Sequence, residues 1–180
     1  MTAPRVRPGR RAEVGLFTHL FAKGAGRVAG TEPLKLFLTL GRRRRMFHAW
    51  LLFAGTLMPG GKLSRRESEL VILRVAHLRD CRYELEHHSR LGRRAGIGTK
   101  ELDRLAAGPD AEGWTPRERA LLAAVDVLHT DKDLDDATWA KLRVHLTEPE
   151  CVELCMLAEH YQMLATVITA LRIQPDRPRR

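Results

Sequence analysis

Apolar side chains recur every three or four residues along most of this chain, with polar side chains between them. The spacing is most regular after residue 150, where it runs almost to the end of the chain. It is typical of helices that bury one face. No segment alternates apolar and polar residues in period two between turn signals, as a half-buried strand would. The pattern therefore predicts an all-α fold.

Capping signals divide this pattern into about six to nine helices. Ser64 with Glu67 has the form S-x-x-E and predicts a helix from about Arg65 to His77, and similar boxes begin at Thr115 and Thr147. The helix from Thr115 should run to about His129 and the last one beyond residue 170. Further short helices are predicted over residues 12–28, 31–40, 46–57, 81–95, 100–106 and from 136 onwards. Gly24, Gly26 and Gly30 should loosen the end of the first helix.

Two of these helices carry expectations about burial. The apolar run from Phe47 to Met58 is too short to span a bilayer and predicts a buried helix. In the helix that Asp135 or Asp136 caps, the spacing turns Trp139, Leu142 and Leu146 inward.

Reactive side chains are concentrated between Glu69 and His88. Glu69 is surrounded in sequence by apolar residues, so its carboxylate must find a partner or accept a raised pKa. Asp80 can cap the next helix, which would place Cys81 in the first turn, where the helix dipole favours a thiolate. Cys81, Glu84 and His88 are spaced i, i+3, i+7 and share one face.

The neighbours of this group have less reactive interpretations. His87 points about 100° away from His88, so the two should not face one pocket. Tyr83 is expected to pack and Glu86 to lie at the surface. Cys81 could equally be a small buried hydrophobe, and Glu69 could be a core carboxylate paired with an arginine.

The spacing from Glu69 to His88 resembles the signature of the alkylhydroperoxidase D-like and carboxymuconolactone decarboxylase family, which is glutamate, eleven residues, C-x-x-C, three residues, histidine. Residues 47–50 and 95–97, residues 136–139 and the segment His160 to Met163 also resemble that family, so the resemblance covers roughly residues 33–175. It implies an alkylhydroperoxidase D-like helical bundle. Glu84 stands where the second cysteine of the redox-active members would be.

The resemblance implies three functions that the residues leave open, and the first of them is the one we expect. In the first, the chain is a one-cysteine thiol peroxidase: Glu69 and His88 take the proton of Cys81, the thiolate attacks a small hydroperoxide, and an external thiol reductant completes the cycle. In the second, it is a cysteine-independent acid–base enzyme, such as a lactone decarboxylase, isomerase or hydrolase, using His88 and Glu84. In the third, it is a non-catalytic oligomeric binding module. The family commonly assembles through helical interfaces, which implies a homo-oligomer acting on a small molecule.

Residues outside the block offer weaker candidates. Cys151 and Cys155 lie one turn apart on the last helix, and two thiols alone make a poor tetrahedral zinc site, so no metal and no organic cofactor is predicted. Either thiol could act as a resolving partner for Cys81 if the fold brought them together. His160 and Tyr161 occupy the part of the last helix that faces the pocket in the family, with packing as the simpler role.

The net charge of +9 is concentrated at the N-terminus. Residues 1–45 carry eleven basic and two acidic side chains, so they account for the whole excess. We expect residues 1–30 to form a basic, partly disordered extension, residues 31–175 the helical domain, and residues 176–180 a basic tail. The run Arg42 to Arg45 has no interleaved aromatic residues, so a solvated helix start or a subunit contact is favoured there over a nucleic-acid site. An acidic partner surface or an anionic substrate could neutralise this cluster.

The cysteine usage predicts the cellular setting. The 180 residues can bury about 70% of their unfolded surface without disulfides. Three cysteines at irregular spacing, with no secretory signal and no spanning segment, predict free thiols in a reducing cytoplasm and no membrane insertion.

Overall fold

The computed structural model describes residues 3–179, and within that range the regular structure is helical apart from one isolated bridge between Thr31 and Pro178. Ten helices are described there: α1 Arg11–Val14, α2 Leu16–Ala29, α3 Lys35–Leu40, α4 Arg44–Leu57, α5 Arg65–Leu78, α6 Arg82–Arg94, α7 Thr99–Ala107, α8 Pro116–Asp131, α9 Asp136–Arg143 and α10 Glu148–Leu171. The predicted all-α fold is confirmed. Residues 1, 2 and 180 of the predicted extension and tail lie outside the described range.

The number of helices exceeds the predicted six to nine because the first predicted helix is divided. Gly15 has a φ of 86°, a conformation that favours glycine, and it separates α1 from α2. Of the glycines that were expected to loosen the end of this helix, Gly24 and Gly26 lie inside α2, and Gly30 is its C-cap residue. Gly26 allows the closest approach, because a Cβ there would lie 2.4 Å from the carbonyl oxygen of Glu32.

Helix α5 forms the centre of the fold. Nine consecutive residues, 68–76, are buried, and the helix packs against α6, α8 and α10. The capping boxes predicted at Ser64, Thr115 and Thr147 are present, so α5, α8 and α10 begin where the sequence indicated. Helix α10 is long and apolar enough to cross a membrane by length and composition, but ten of its residues are buried in this core.

Two predictions about burial are wrong. Helix α4 was expected to be buried, yet only Phe47 and Leu57 of its residues are, and Leu52 is 77% exposed. Trp139 of α9 is 39% exposed, whereas Leu142 and Leu146 face inward as predicted. In both helices the apolar residues cover more than one face, so periodicity alone did not identify the face that packs.

The N-terminal helices neutralise part of the arginine cluster. The Arg42 Nη1 atom lies 2.9 Å from Glu13 Oε1, and Arg44 Nη2 donates to the carbonyl of Ala12 at 2.9 Å. The N–H of Arg5 donates to the carbonyl oxygen of Leu171, and this bond fixes the segment before α1 against the end of α10. An acidic partner was one explanation for this cluster, and the chain itself supplies one such group.

Candidate active site

Glu69 lies in the first half of α5 and is completely buried. Its Oε2 atom is 2.8 Å from the Nδ1 atom of His88 on α6, and its Oε1 atom is 2.7 Å from Arg65 Nη2 on its own helix. A carboxylate at this position accepts a hydrogen bond from His88 Nδ1–H, so the other ring nitrogen, Nε2, is the one available to a substrate. The expected partner for Glu69 is therefore present, together with an arginine one turn earlier.

Glu84 is buried in the first turn of α6, one turn before His88, and unlike Glu69 it has no histidine or arginine in the described part of the chain as a partner. Neither carboxyl oxygen makes a hydrogen bond of ordinary geometry with the described residues. Burial raises the pKa of Glu84 to about 8, and the neighbouring Cys81 thiol offsets only part of this effect. Glu84 is therefore mostly protonated near neutral pH and can donate a proton. The predicted i, i+4 pairing of Glu84 with His88 is absent, since His88 is bonded to Glu69.

The expectation for Cys81 is wrong in two respects. Asp80 does not cap α6: it adopts a left-handed conformation with a φ of 47°, and Cys81 itself is the N-cap residue. Burial is the main cause that raises the pKa of the Cys81 thiol to about 12, with a smaller contribution from Glu84. The thiol is therefore protonated at neutral pH, because desolvation outweighs the helix dipole.

A cavity of about 700 Å³ lies beside these groups and contains Glu84 and His88 in its wall. Helices α2 and α4 supply most of its apolar wall, and α6 and α10 supply the polar residues. Cys81 is absent from this wall and lines a separate pocket of about 200 Å³ between the start of α6 and the end of α10. The structure thus places Glu84 and His88 in the wall of one cavity, with Glu69 bonded to His88, and leaves Cys81 outside that wall.

Both histidines of the pair line the large cavity, so the prediction that His87 would face away is wrong. The cavity is wide enough to extend over about 100° of the surface of α6. Burial, with smaller contributions from the nearby His88, Arg90 and Arg65, lowers the pKa of His87 to about 3. His160 also lines the cavity, where its ring stacks on Trp50 with 5.9 Å between the centroids. Burial lowers its pKa to about 4.

The remaining candidates have structural positions. The hydroxyl of Tyr83 donates to Asp176 Oδ2 at 2.6 Å and so holds the C-terminal segment. At 1.5 Å per residue, Cys155 is roughly 20 Å along α10 from Ile168, which lines the pocket of Cys81. Cys151 is one turn farther away and fully buried. Neither cysteine can therefore resolve an oxidised Cys81 in this fold.

Arg65 and Trp50 are two cavity residues with polar side chains to which the sequence analysis assigned no role. The i, i+4 spacing of Arg65 and Glu69 on one helix was a usable signal for the first. Trp50 carried no such signal, because its place in the wall depends on how α4 packs. Within residues 3–179, no group of three or more His, Cys, Asp or Glu side chains is placed to hold a metal ion.

This arrangement is suited to moving protons. One cavity contains a carboxylic acid that is protonated at neutral pH and an imidazole whose orientation and tautomer are fixed by a second carboxylate. Two acid–base groups with different protonation states are what a reaction needs when it removes a proton from one atom and delivers a proton to another.

Comparison with known proteins identifies related sequences and folds. The sequence profile of the Carboxymuconolactone decarboxylase family matches residues 44–127, which include all four candidate site residues. No protein of curated function matches the chain.

Three solved structures share the fold. One is the alkylhydroperoxidase AhpD core of an uncharacterized peroxidase-related protein from Ralstonia eutropha JMP134, with a TM-score of 0.84, 20% identity and coverage of 97% of this chain and 93% of that one. An uncharacterized peroxidase-related protein from Silicibacter sp. TM1040 has a TM-score of 0.82, 17% identity and coverage of 97% and 95%. A cysteine-to-alanine variant of the debrominase Bmp8, in complex with 2,3,4-tribromopyrrole, has a TM-score of 0.80, 16% identity and coverage of 94% and 90%.

Proposed function

We propose that this chain, which belongs to the carboxymuconolactone decarboxylase family, is a cysteine-independent acid–base enzyme acting on a small carbonyl compound. The observation that carries the proposal is the position of Glu84 and His88 in the wall of one cavity, with Cys81 outside it. Decarboxylation, isomerisation and hydrolysis of lactones or related carbonyl compounds are the reactions that such a pair can support.

The simplest step for this pair is enolisation. His88 Nε2 removes a proton from the carbon next to the carbonyl group, and that bonding pair becomes a carbon–carbon double bond. The carbonyl electron pair moves to oxygen, which takes the proton of Glu84. Glu69 holds His88 in the correct tautomer and stabilises the imidazolium that forms. Return of the two protons, to the same or another carbon, completes an exchange or an isomerisation.

The one-cysteine peroxidase has less support from the geometry. A peroxidatic cysteine needs an accessible thiolate, and Cys81 is 2% exposed with a pKa raised to about 12. His88, which was expected to take its proton, lines the large cavity, whereas Cys81 lines the separate pocket. We therefore expect reduced Cys81 to react with an alkyl hydroperoxide no faster than free cysteine in a stopped-flow measurement.

The enzymatic proposal is tested by proton exchange. Proton NMR in D₂O follows deuterium incorporation next to the carbonyl group of a panel of lactones, ketones and enones. The wild type and Cys81→Ser should exchange at similar rates, while Glu84→Gln and His88→Ala should lose about a hundredfold or more. A Cys81→Ser variant without activity, beside an active wild type, would return the chemistry to the thiol.

Self-association is also proposed, on the basis of exposed apolar side chains. Three helices leave such residues uncovered, and these are Leu16, Phe17, Leu20, Phe21 and Val28 of α2, Met46, Leu52 and Phe53 of α4, and Val152, Met156 and Met163 of α10. Patches of this kind on a soluble domain are typical of protein interfaces. Light scattering should therefore give a mass above the 20.4 kDa of one chain. The cytoplasmic setting remains a prediction.

A further inference from the structure

We infer that the large cavity binds an uncharged, mostly apolar molecule that carries a hydrogen-bonding carbonyl group, rather than a small polar carboxylate. This inference rests on the proposed function only in assigning the chemistry to this cavity. It also narrows that function: the substrate of a decarboxylation carries a carboxylate, so isomerisation and hydrolysis fit the cavity better.

The size and wall of the cavity favour an apolar ligand. A volume of about 700 Å³ is within the range of pockets that enclose whole small molecules. Side chains such as Leu20, Phe21 and Val28 of α2 and Leu51 and Ala54 of α4 line it. Binding an apolar ligand removes these side chains from water, which is favourable. A small polar molecule would remove less apolar surface from water.

The same wall contains polar atoms without partners. Both carboxyl oxygens of Glu84, Nδ1 of His87, Nδ1 of His160 and Nε1 of Trp50 are buried without a hydrogen bond to the described residues. All four residues line the cavity. Buried polar groups without partners are rare because each costs free energy. Trp50 offers only a donor, and protonated Glu84 offers another, so a ligand with a carbonyl oxygen would satisfy them.

The charges around the cavity oppose an anionic ligand. Arg65 is the one arginine or lysine in the described wall, and its guanidinium is already paired with Glu69. His87 and His160 remain neutral at pH 7, since burial lowers the pKa of each. A carboxylate entering this cavity would therefore lose its hydration without gaining an unpaired lysine or arginine.

The test compares two ten-carbon probes by isothermal titration calorimetry on the purified full-length chain at pH 7. The probes are δ-decalactone, which is uncharged, and decanoate, which is a carboxylate of the same chain length. We expect the lactone to bind about tenfold or more tightly than decanoate. Equal or tighter binding of decanoate would overturn the inference.

Two substitutions of alanine by phenylalanine test where the lactone binds. Ala54→Phe fills part of the cavity and should weaken lactone binding about tenfold or more, whereas Ala49→Phe places the same ring on the exposed side of α4 and should not. Unchanged binding in Ala54→Phe, with the fold intact by circular dichroism, would also overturn the inference. Lactone binding without any proton exchange would uphold it and count against the proposed enzyme, so the two failures are distinguishable.

Discussion

The two sides of helix α5 treat their charges in opposite ways. On one side, Arg66, Glu67 and Arg74 are matched by partners on α7, α8 and α10. Arg66 pairs with Glu101 and Glu118, Arg117 lies 2.5 Å from Glu67 and 2.8 Å from Glu150, and Arg74 holds Asp126 through two bonds of 2.6 and 2.7 Å.

On the other side, Glu69 is paired with His88, which lines a cavity whose wall contains four residues with unpartnered polar atoms. The charged groups on the first side of α5 are all paired, whereas the buried Glu84 on the neighbouring helix α6 has no arginine within residues 3–179 as a partner. The difference supports the proposal that the first side stabilises the fold and that the second binds a ligand.

The largest effect should come from breaking the satisfied side. Asp126→Ala leaves the guanidinium of Arg74, which is 7% exposed, without its countercharge. We expect a loss of about 3 kcal/mol in the free energy of unfolding, at the lower end for buried pairs because the Asp126 side chain is 27% exposed. Urea unfolding at pH 7 measures it, with Asp103→Ala on the exposed surface of α7 as the control.

The cavity side should respond in the opposite direction. Glu84→Met removes two unpartnered oxygens and fills a similar volume, so we expect stability to rise by about 1–3 kcal/mol while proton exchange is lost. Glu86→Met, which removes a more exposed carboxylate of the same helix, should change stability by only about 0.5 kcal/mol. Destabilisation by Glu84→Met would mean that the carboxyl group has a stabilising partner after all.

The pH dependence of stability isolates the same carboxyl group. Its folded pKa is about 8 against an ordinary value of 4.5, so between these values the native state holds a proton that the unfolded state has lost. The stability contributed by this proton is therefore lost as the pH rises towards 8. Below pH 6.5, the lowered pKa values of His87 and His160 make stability increase with pH, and this increase opposes the loss due to Glu84.

The window from pH 6.5 to 8 is consequently the informative one. We expect the wild type to lose about 1 kcal/mol across it, because ionisation of Glu84 costs about 1.6 kcal/mol and the remaining titration of His87 and His160 in the unfolded chain offsets about 0.8 kcal/mol. Glu84→Gln cannot titrate at this position and should show no loss. Urea unfolding of both proteins in parallel at several pH values gives the comparison, and identical slopes would contradict the raised pKa of Glu84.

The sequence predicted the scaffold better than the site. The capping boxes at Ser64, Thr115 and Thr147 are local, because each is completed within four residues, and the helices they start were placed correctly. The pairing of Glu69 with His88 was also predicted in outline, since the spacing resembles a known signature. These features depend on short stretches of sequence that contain all the interacting groups.

The predictions that were wrong depend on packing between helices. Cys81 was placed in a first turn, but Asp80 takes a left-handed conformation and shifts the cap by one residue. The pKa of Cys81 then follows its burial near Glu84 rather than the helix dipole. The inclusion of His87 in the cavity wall depends on the width of a space between α2, α4, α6 and α10, which no local pattern encodes.

The smallest expected effect concerns a residue adjacent to Glu84 whose polar group is satisfied. Tyr83→Phe removes the hydroxyl that donates to Asp176 and accepts from the N–H of Leu36, and it should cost about 1 kcal/mol in the free energy of unfolding. The hydroxyl is not expected to act on a substrate, so proton exchange should be unchanged.

A double-mutant cycle with Asp176→Asn separates this bond from other effects of the ring. If the two substitutions are additive, the Tyr83–Asp176 bond contributes nothing to stability. A loss of exchange in Tyr83→Phe would instead place the tyrosine among the catalytic groups, and the contrast between these two neighbouring residues of α6 would disappear.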